Sequence, residues 1–204
     1  MIIKMKKILH IISSPRGDSS MSIKLGNAIV EQIKETYPGS TVTERNLVTQ
    51  KFPHLEESHI TSFYTPKEHH TPENAEAIKH SDEAIAEILD ADIIVIGAPL
   101  YNFTIHSALK AWIDHIVRKG ISFDYDENGP RGLITGKKIY LAVATGGVYS
   151  EGPMQSYDFV VPYIKTILGF QGMTDVTVFR VEGTNVSELA ADALQNGLNS
   201  IVID

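Results

Sequence analysis

Ile93-Ile94-Val95-Ile96, running directly into Gly97-Ala98-Pro99-Leu100-Tyr101-Asn102-Phe103, is the stretch on which the fold turns. The four apolar residues are continuous, without the apolar–polar alternation of a half-exposed strand. A continuous run is what a parallel strand covered on both faces requires. The run ends in a loop rich in aromatic and turn residues. Two further short, apolar runs also end in loops: Ile8 to Ile12, which leads into Ser13-Ser14-Pro15-Arg16-Gly17, and Ile139 to Ala144, which leads into Thr145-Gly146-Gly147. Val176 to Val181 reads as another strand, and Thr41 to Leu47 as a less apolar one nearer an edge.

Helical patterns separate these runs. Leu25, Ile29 and Ile33 repeat every four residues, and Pro38-Gly39 ends that pattern. Thr71-Pro72 opens a second helix, with Thr as cap and Ile78, Ile85 and Leu89 as its buried face. Leu109, Trp112, Ile113 and Ile116 mark a third. A fourth is expected from Met154 to Leu168, interrupted or reoriented at Pro162. The last is expected to carry Val186, Leu189, Ala193, Leu198 and Ile201 on one face, with Asn185 and Glu188 as a capping box. Strands alternating with helices predict an α/β protein, a three-layer α/β/α sandwich. Right-handed crossovers leave few topologies, and a five-stranded parallel sheet of order 2-1-3-4-5 is expected. All 204 residues are assigned to one domain. It carries a surface insertion at about 48–71 and a hairpin-like excursion at about 121–133, centred on Asn128-Gly129-Pro130.

Composition excludes several classes of function. There is no cysteine, so disulfides, thiolate metal sites and a Cys nucleophile are ruled out. The net charge of -7 leaves no surplus of Lys and Arg for nucleic acid. No apolar stretch approaches the roughly 20 residues that span a bilayer. Ile8 to Ile12 is too short for a signal peptide, so a cytoplasmic protein is expected. His54, His59, His69 and His70 match no strong ligand spacing, and no metal is expected.

In a sheet of this order, ligands sit beyond the carboxyl ends of the strands where the winding reverses. The three unusual loops fall there. Ser13 to Ser22 opens a helix, and the hydroxyls of Ser14, Ser20 and Ser22 with the helix N-terminus suit a phosphate. The same serines could simply cap the helix. Tyr101 or Phe103 could wall a flat ring, with Asn102 at its polar edge, or the aromatics could be ordinary core. Gly146 and Gly147 allow close backbone approach to a ligand, or a tight turn. There is no G-x-G-x-x-G, and Gly132 to Lys138 fails as a phosphate loop of the triphosphate-binding kind. A singly phosphorylated ring system fits better than a dinucleotide or triphosphate.

Together these segments resemble the FMN-dependent NAD(P)H azoreductases, also described as quinone reductases, of the flavodoxin-like superfamily. The most specific part is Ala98-Pro-Leu-Tyr-Asn-Phe-Thr-Ile-His-Ser-Ala-Leu-Lys-Ala-Trp-Ile-Asp-His115. Ser13-Ser14-Pro15-Arg16, Phe123-x-Tyr125, Gly129-Pro130-x-Gly132-Leu133, Thr145-Gly146-Gly147 and Leu168-Gly169-Phe170 also match. The likeness runs from Lys7 almost to the C-terminus.

The resemblance implies bound FMN and NADH or NADPH as co-substrate. The reaction it implies is ping-pong hydride transfer through FMN N5 to a quinone or an azo compound. It also implies a homodimer with the active site at the interface. Ser14, Ser20, Met21 and Ser22 would hold the phosphate. Leu100, Tyr101, Asn102 and Phe103, with Ala144, Thr145, Gly146 and Gly147, would surround the ring. Phe123, Tyr125 and Phe170 would form the substrate side, partly across the dimer interface, and Tyr149 is a further candidate for it. No catalytic acid or base is implied, because the cofactor carries the chemistry. His106 departs from the family, which usually has Pro there, and is expected to be an exposed or capping histidine. The rival reading is a flavodoxin-type electron carrier without a substrate of its own.

Overall fold

A computed structural model describes residues 4–204. In chain order its elements are β1 (Lys7–Ile12), α1 (Met21–Thr36), β2 (Thr41–Asn46), α2 (Glu57–Tyr64), α3 (Pro72–Asp90), β3 (Ile93–Pro99) and α4 (Ser107–Ile116). Then come β4 (Phe123–Asp126), β5 (Gly129–Gly132), β6 (Lys138–Ala144), α5 (Val161–Phe170), β7 (Asp175–Val181) and α6 (Ala193–Asn199). β2-β1-β3-β6-β7 form one parallel sheet, and β4 and β5 pair as a separate antiparallel hairpin. Without the hairpin, the order is the 2-1-3-4-5 expected from the sequence.

Every residue of β3 is buried, because helices cover both faces of the sheet. Ile94 and Ile96 pack into a core with Ile88, Leu109, Trp112 and Ile164. Ile93 and Val95 face the opposite core, with Leu25, Ile29, Ile33 and Ala193. Successive side chains of a strand point to opposite faces, so one apolar run serves both layers. β2 lies at the edge and is mostly exposed, which is why its sequence is polar.

Three expectations fail locally. Leu89 is half exposed, whereas Ile88 is fully buried. The buried face of α3 steps through Ile78, Ser81, Ile85 and Ile88, and Leu89 lies about 100° further round the helix. Pro162 does not interrupt a helix; it sits in the first turn of α5, after a separate 3-10 turn at Gly152–Tyr157. The last helix is much shorter than its pattern suggests. Residues 185–192 form turns, Leu189 is exposed, and α6 spans only Ala193–Asn199. Among the described residues the Asn185 side chain makes no capping bond, and its N–H donates to the carbonyl of Gly146.

The insertion contains α2 and a short 3-10 turn at Lys67–His69. Its attachment to the body includes a bond between His115 Nε2 and the carbonyl of Pro53, 3.0 Å apart. A carbonyl only accepts, so that nitrogen carries the proton.

Candidate functional site

β1 is followed by α1 on one face of the sheet and β3 by α4 on the other, so the loops after the two strands diverge at the carboxyl edge. Ser13 Oγ donates to the carbonyl of Gly97 at 2.6 Å and ties the two strand ends together. The chain then turns at Gly17, whose φ of +53° glycine adopts without strain. Ser20 caps α1, its Oγ accepting from Ile23 N at 3.4 Å and lying 3.1 Å from Ser22 Oγ. Ser14 Oγ accepts from Arg16 N at 3.3 Å. All three hydroxyls belong to buried residues at the N-terminus of a 16-residue helix. The partial positive charge of that terminus acts on the same spot.

The loop after β3 is a tight reversal. Tyr101 and Thr104 exchange two backbone hydrogen bonds, at 2.9 and 3.0 Å. Between them Asn102 and Phe103 have φ of +49° and +70°. Two positive φ values in succession define the type I′ turn. Asn tolerates that region well, but a Phe there is strained. The strain is held by tertiary contacts: Phe159 N donates to the carbonyl of Phe103, and the Phe103 ring lies 5.4 Å from that of Tyr157 and 6.4 Å from that of Tyr149.

The loop after β6 is fixed from β7. Thr145 N donates to the carbonyl of Val181, and the carbonyls of Gly146 and Gly147 accept from Asn185 N and Gly183 N. Thr145 Oγ1 donates to the carbonyl of Gly147 at 2.7 Å, and Thr184 Oγ1 to that of Thr145 at 3.1 Å. With these carbonyls engaged, the N–H groups of Gly146 and Gly147 have no partner among the described residues.

These loops enclose a cavity of about 200 Å³. Among the residues expected from the sequence, Ser14, Ser20, Met21, Leu100, Tyr101, Ala144, Thr145 and Gly146 line it. Ser22, Asn102, Phe103 and Gly147 do not; they stand behind or beside the lining, and Asn102 and Phe103 are exposed. Arg16, Pro99, Thr184 and Asn185 line it as well. Arg16 and Pro99 belong to loops already singled out. Thr184 and Asn185 carry no such signal, since Asn185 reads as a helix cap. Arg16 is the one charged group on the wall and no carboxylate opposes it, so the cavity suits an anion despite the chain's net charge of -7.

The expected substrate side divides in two. Phe123, Tyr125 and Phe170 cluster, with ring centroids 4.5 Å apart for Phe123–Phe170 and 5.7 Å for Phe123–Tyr125, but none lines this cavity. Tyr149 sits apart from them, beside Phe103. His106 is half-buried and caps α4, its Nδ1 accepting from Ala108 N at 3.2 Å while its ring meets Tyr101 edge-on at 5.4 Å. His59, at the third position of α2, reaches back to the cap residue Glu56, its Nδ1 accepting from Glu56 N at 3.0 Å.

Comparison with known proteins bears on the same chain length. The family model described as "Flavodoxin-like fold" matches residues 6–202. An "FMN-dependent NADH:quinone oxidoreductase" of Herminiimonas arsenicoxydans is 49% identical over 179 residues, 88% of each chain. A protein of the same name from Mesorhizobium japonicum is 44% identical, over 91% of this chain and 89% of its own. Among solved structures, an azoreductase of Bacillus anthracis superimposes with a TM-score of 0.88 at 35% identity, over 96% of both chains. An FMN-dependent NADH-azoreductase of the same species, solved in complex with FMN, gives 0.83 at 27% identity, over 96% of this chain and 97% of that one. The strand order, the loops converging at the carboxyl edge and these matches give one answer: the chain belongs to the flavodoxin-like-fold family.

Proposed function

We propose that this chain is an FMN-dependent oxidoreductase that takes electrons from NADH and delivers them to quinones and aromatic azo compounds. The observation that carries the proposal is the convergence of Ser14–Met21, Pro99–Tyr101, Ala144–Gly146 and Thr184–Asn185 on one cavity at the switch point of the sheet. The names of the relatives supply the chemistry, and the residues present fit it. Three buried hydroxyls, the start of α1 and Arg16 suit a phosphate dianion. Tyr101 and Leu100 offer a flat apolar wall, and free N–H groups at Gly146 and Gly147 suit the polar edge of a ring.

When bound, FMN would supply two-electron acceptance from NADH and donation to the acceptor. The protein's own part is positional and electrostatic. Ser14, Ser20, Met21 and Ser22 anchor the phosphate, with Ser22 acting through Ser20. The Tyr101–Thr104 turn fixes the wall of the ring site. Asn102 and Phe103 hold that turn, and Gly147 completes the opposite loop. N–H dipoles at Gly146 and Gly147 would favour negative charge on the polar edge of such a ring. No side chain needs to act as nucleophile.

The active unit in this proposal is a homodimer of single-domain chains in the cytoplasm. Phe103, Tyr125, Tyr157 and Phe159 are about half exposed, and a second copy would cover such aromatics. Phe123, Tyr125, Tyr149 and Phe170 would then shape the acceptor side from both copies. The test is direct. The purified chain, reconstituted with FMN, gives a flavin spectrum and oxidises NADH when a quinone is added, with no protein partner. Failure to retain FMN rejects the proposal. Retention of FMN without quinone-driven turnover favours an electron carrier instead.

A further inference from the structure

A recess larger than the cavity described above lies outside that site. It measures about 670 Å³ and is bounded by α2, α3 and the segment between α4 and β4. We propose that it is a second binding site, for a planar aromatic monoanion such as an arylsulfonate or arylcarboxylate. Its size falls in the range of small-molecule sites, roughly 300–1,000 Å³.

Its lining explains the choice of ligand. Ile78 and Ile85 are each only 3% exposed and form an apolar floor. Beside them is Arg118, a cation that is 6% exposed. Its Nη1 donates to Ser81 Oγ at 3.2 Å and to Asp82, its guanidinium lies over the Phe63 ring at 4.8 Å, and its Nε has no partner among the described residues. A guanidinium fixed on an aromatic face, next to apolar side chains, presents a flat surface that favours flat ligands.

Charge points to the same ligand. Lys67, Arg118 and Lys119 line the recess against Asp82 and Asp124, a formal surplus of one positive charge on a chain of net -7. One negative charge is matched there. A polyphosphate would meet two carboxylates with too few cations. The walls are tied to each other in advance. Asn74 Nδ2 of α3 donates to Ser62 Oγ of α2 at 2.9 Å, His70 Nε2 lies 2.9 Å from the carbonyl of Thr65, and Arg118 N donates to Ser122 Oγ at 2.8 Å. A preformed recess costs little to occupy.

This inference does not rest on the cofactor reading, and its failure leaves that reading intact. The experiment is calorimetric titration of the FMN-saturated protein with 2-naphthalenesulfonate and with its neutral sulfonamide. One sulfonate is expected per chain, bound at least about tenfold more tightly than the sulfonamide. Arg118→Met could disturb the fold, so the decisive variant is K67E/K119E, on the exposed rim. It should weaken the sulfonate at least about tenfold and change the sulfonamide less than about twofold. No binding at millimolar sulfonate, equal affinities for the two probes, or an unaffected double variant each overturn the proposal. A double variant that instead loses its oligomeric state marks the recess as a contact between copies and overturns it too.

Discussion

Asn185 meets Gly146 twice: its main-chain N–H donates to the Gly146 carbonyl at 2.8 Å, and its side-chain Nδ2 stands 2.6 Å from where a Gly146 Cβ would lie. The glycine is therefore required by an approach made across the cavity rim. Gly146→Ala would turn the Asn185 amide aside. The obstructing atom is the tip of a flexible side chain, so the fold should lose only about 1 kcal/mol. FMN affinity should fall about tenfold, equivalent to about 1.4 kcal/mol. Fluorescence titration with FMN measures this, and unchanged affinity would remove Asn185 from the site.

The Tyr101–Thr104 turn separates conformation from contact. Asn102 has φ +49°, is exposed and stands outside the cavity lining. Asn102→Ala places a Cβ-bearing residue with no compensating polar group in the left-handed region, at a cost of about 1 kcal/mol. FMN binding should weaken about fivefold. Asn102→Gly keeps the turn and should bind within about twofold of the parent. Equal losses in both variants would show that the amide, not the turn, is what matters.

Gly132 makes the closest approach to main chain. A Cβ there would lie 2.1 Å from Gly172 N and 2.3 Å from the carbonyl carbon of Gln171. Backbone cannot swing away as a side chain can, so Gly132→Ala should cost about 3 kcal/mol. At about 2–4 °C per kcal/mol for a chain of this size, the melting temperature should drop about 10 °C. A melting point within two or so degrees of the parent would mean that the β4–β5 hairpin is not docked on the turn after α5.

His10 sits in the middle of β1, 2% exposed, with Nε2 unpartnered among the described residues and facing Gly26 of α1. Burial pushes its pKa down from 6.5 to about 4. The unfolded chain therefore takes up a proton on His10 that the folded chain refuses. Stability is full above pH 6.5 and declines as pH falls toward about 4, below which the slope from this group vanishes. The loss should reach about 3 kcal/mol. Urea unfolding at pH 7 and pH 4.5, of the parent and of His10→Leu, isolates the effect. Identical pH slopes in the two proteins would refute it.

The strands were legible because a parallel strand covered on both faces needs a largely apolar run, interrupted in β1 by His10 and unbroken at Ile93–Ile96. The edge position of β2 followed from its polar residues for the same reason. α3 was legible at its start, where Thr71 and Pro72 act locally, and less so at Leu89, where the contact face depends on the neighbouring layer. The C-terminal pattern misled because Asn185-x-x-Glu188 describes a local option. The Gly146 carbonyl offered Asn185 N a different partner, and the turn that forms there shortens α6.

Sequence alone therefore determined the class of fold and the three loops that border the crevice, since periodicity and turn chemistry act within a few residues, and crossover rules narrowed the strand order to a few topologies. Only the tertiary structure decided which loop atoms line the cavity, that Thr184 and Asn185 join them, and that Phe123, Tyr125 and Phe170 gather away from it. Those placements depend on contacts between segments distant in the chain, and the partners in such contacts carry no local signature.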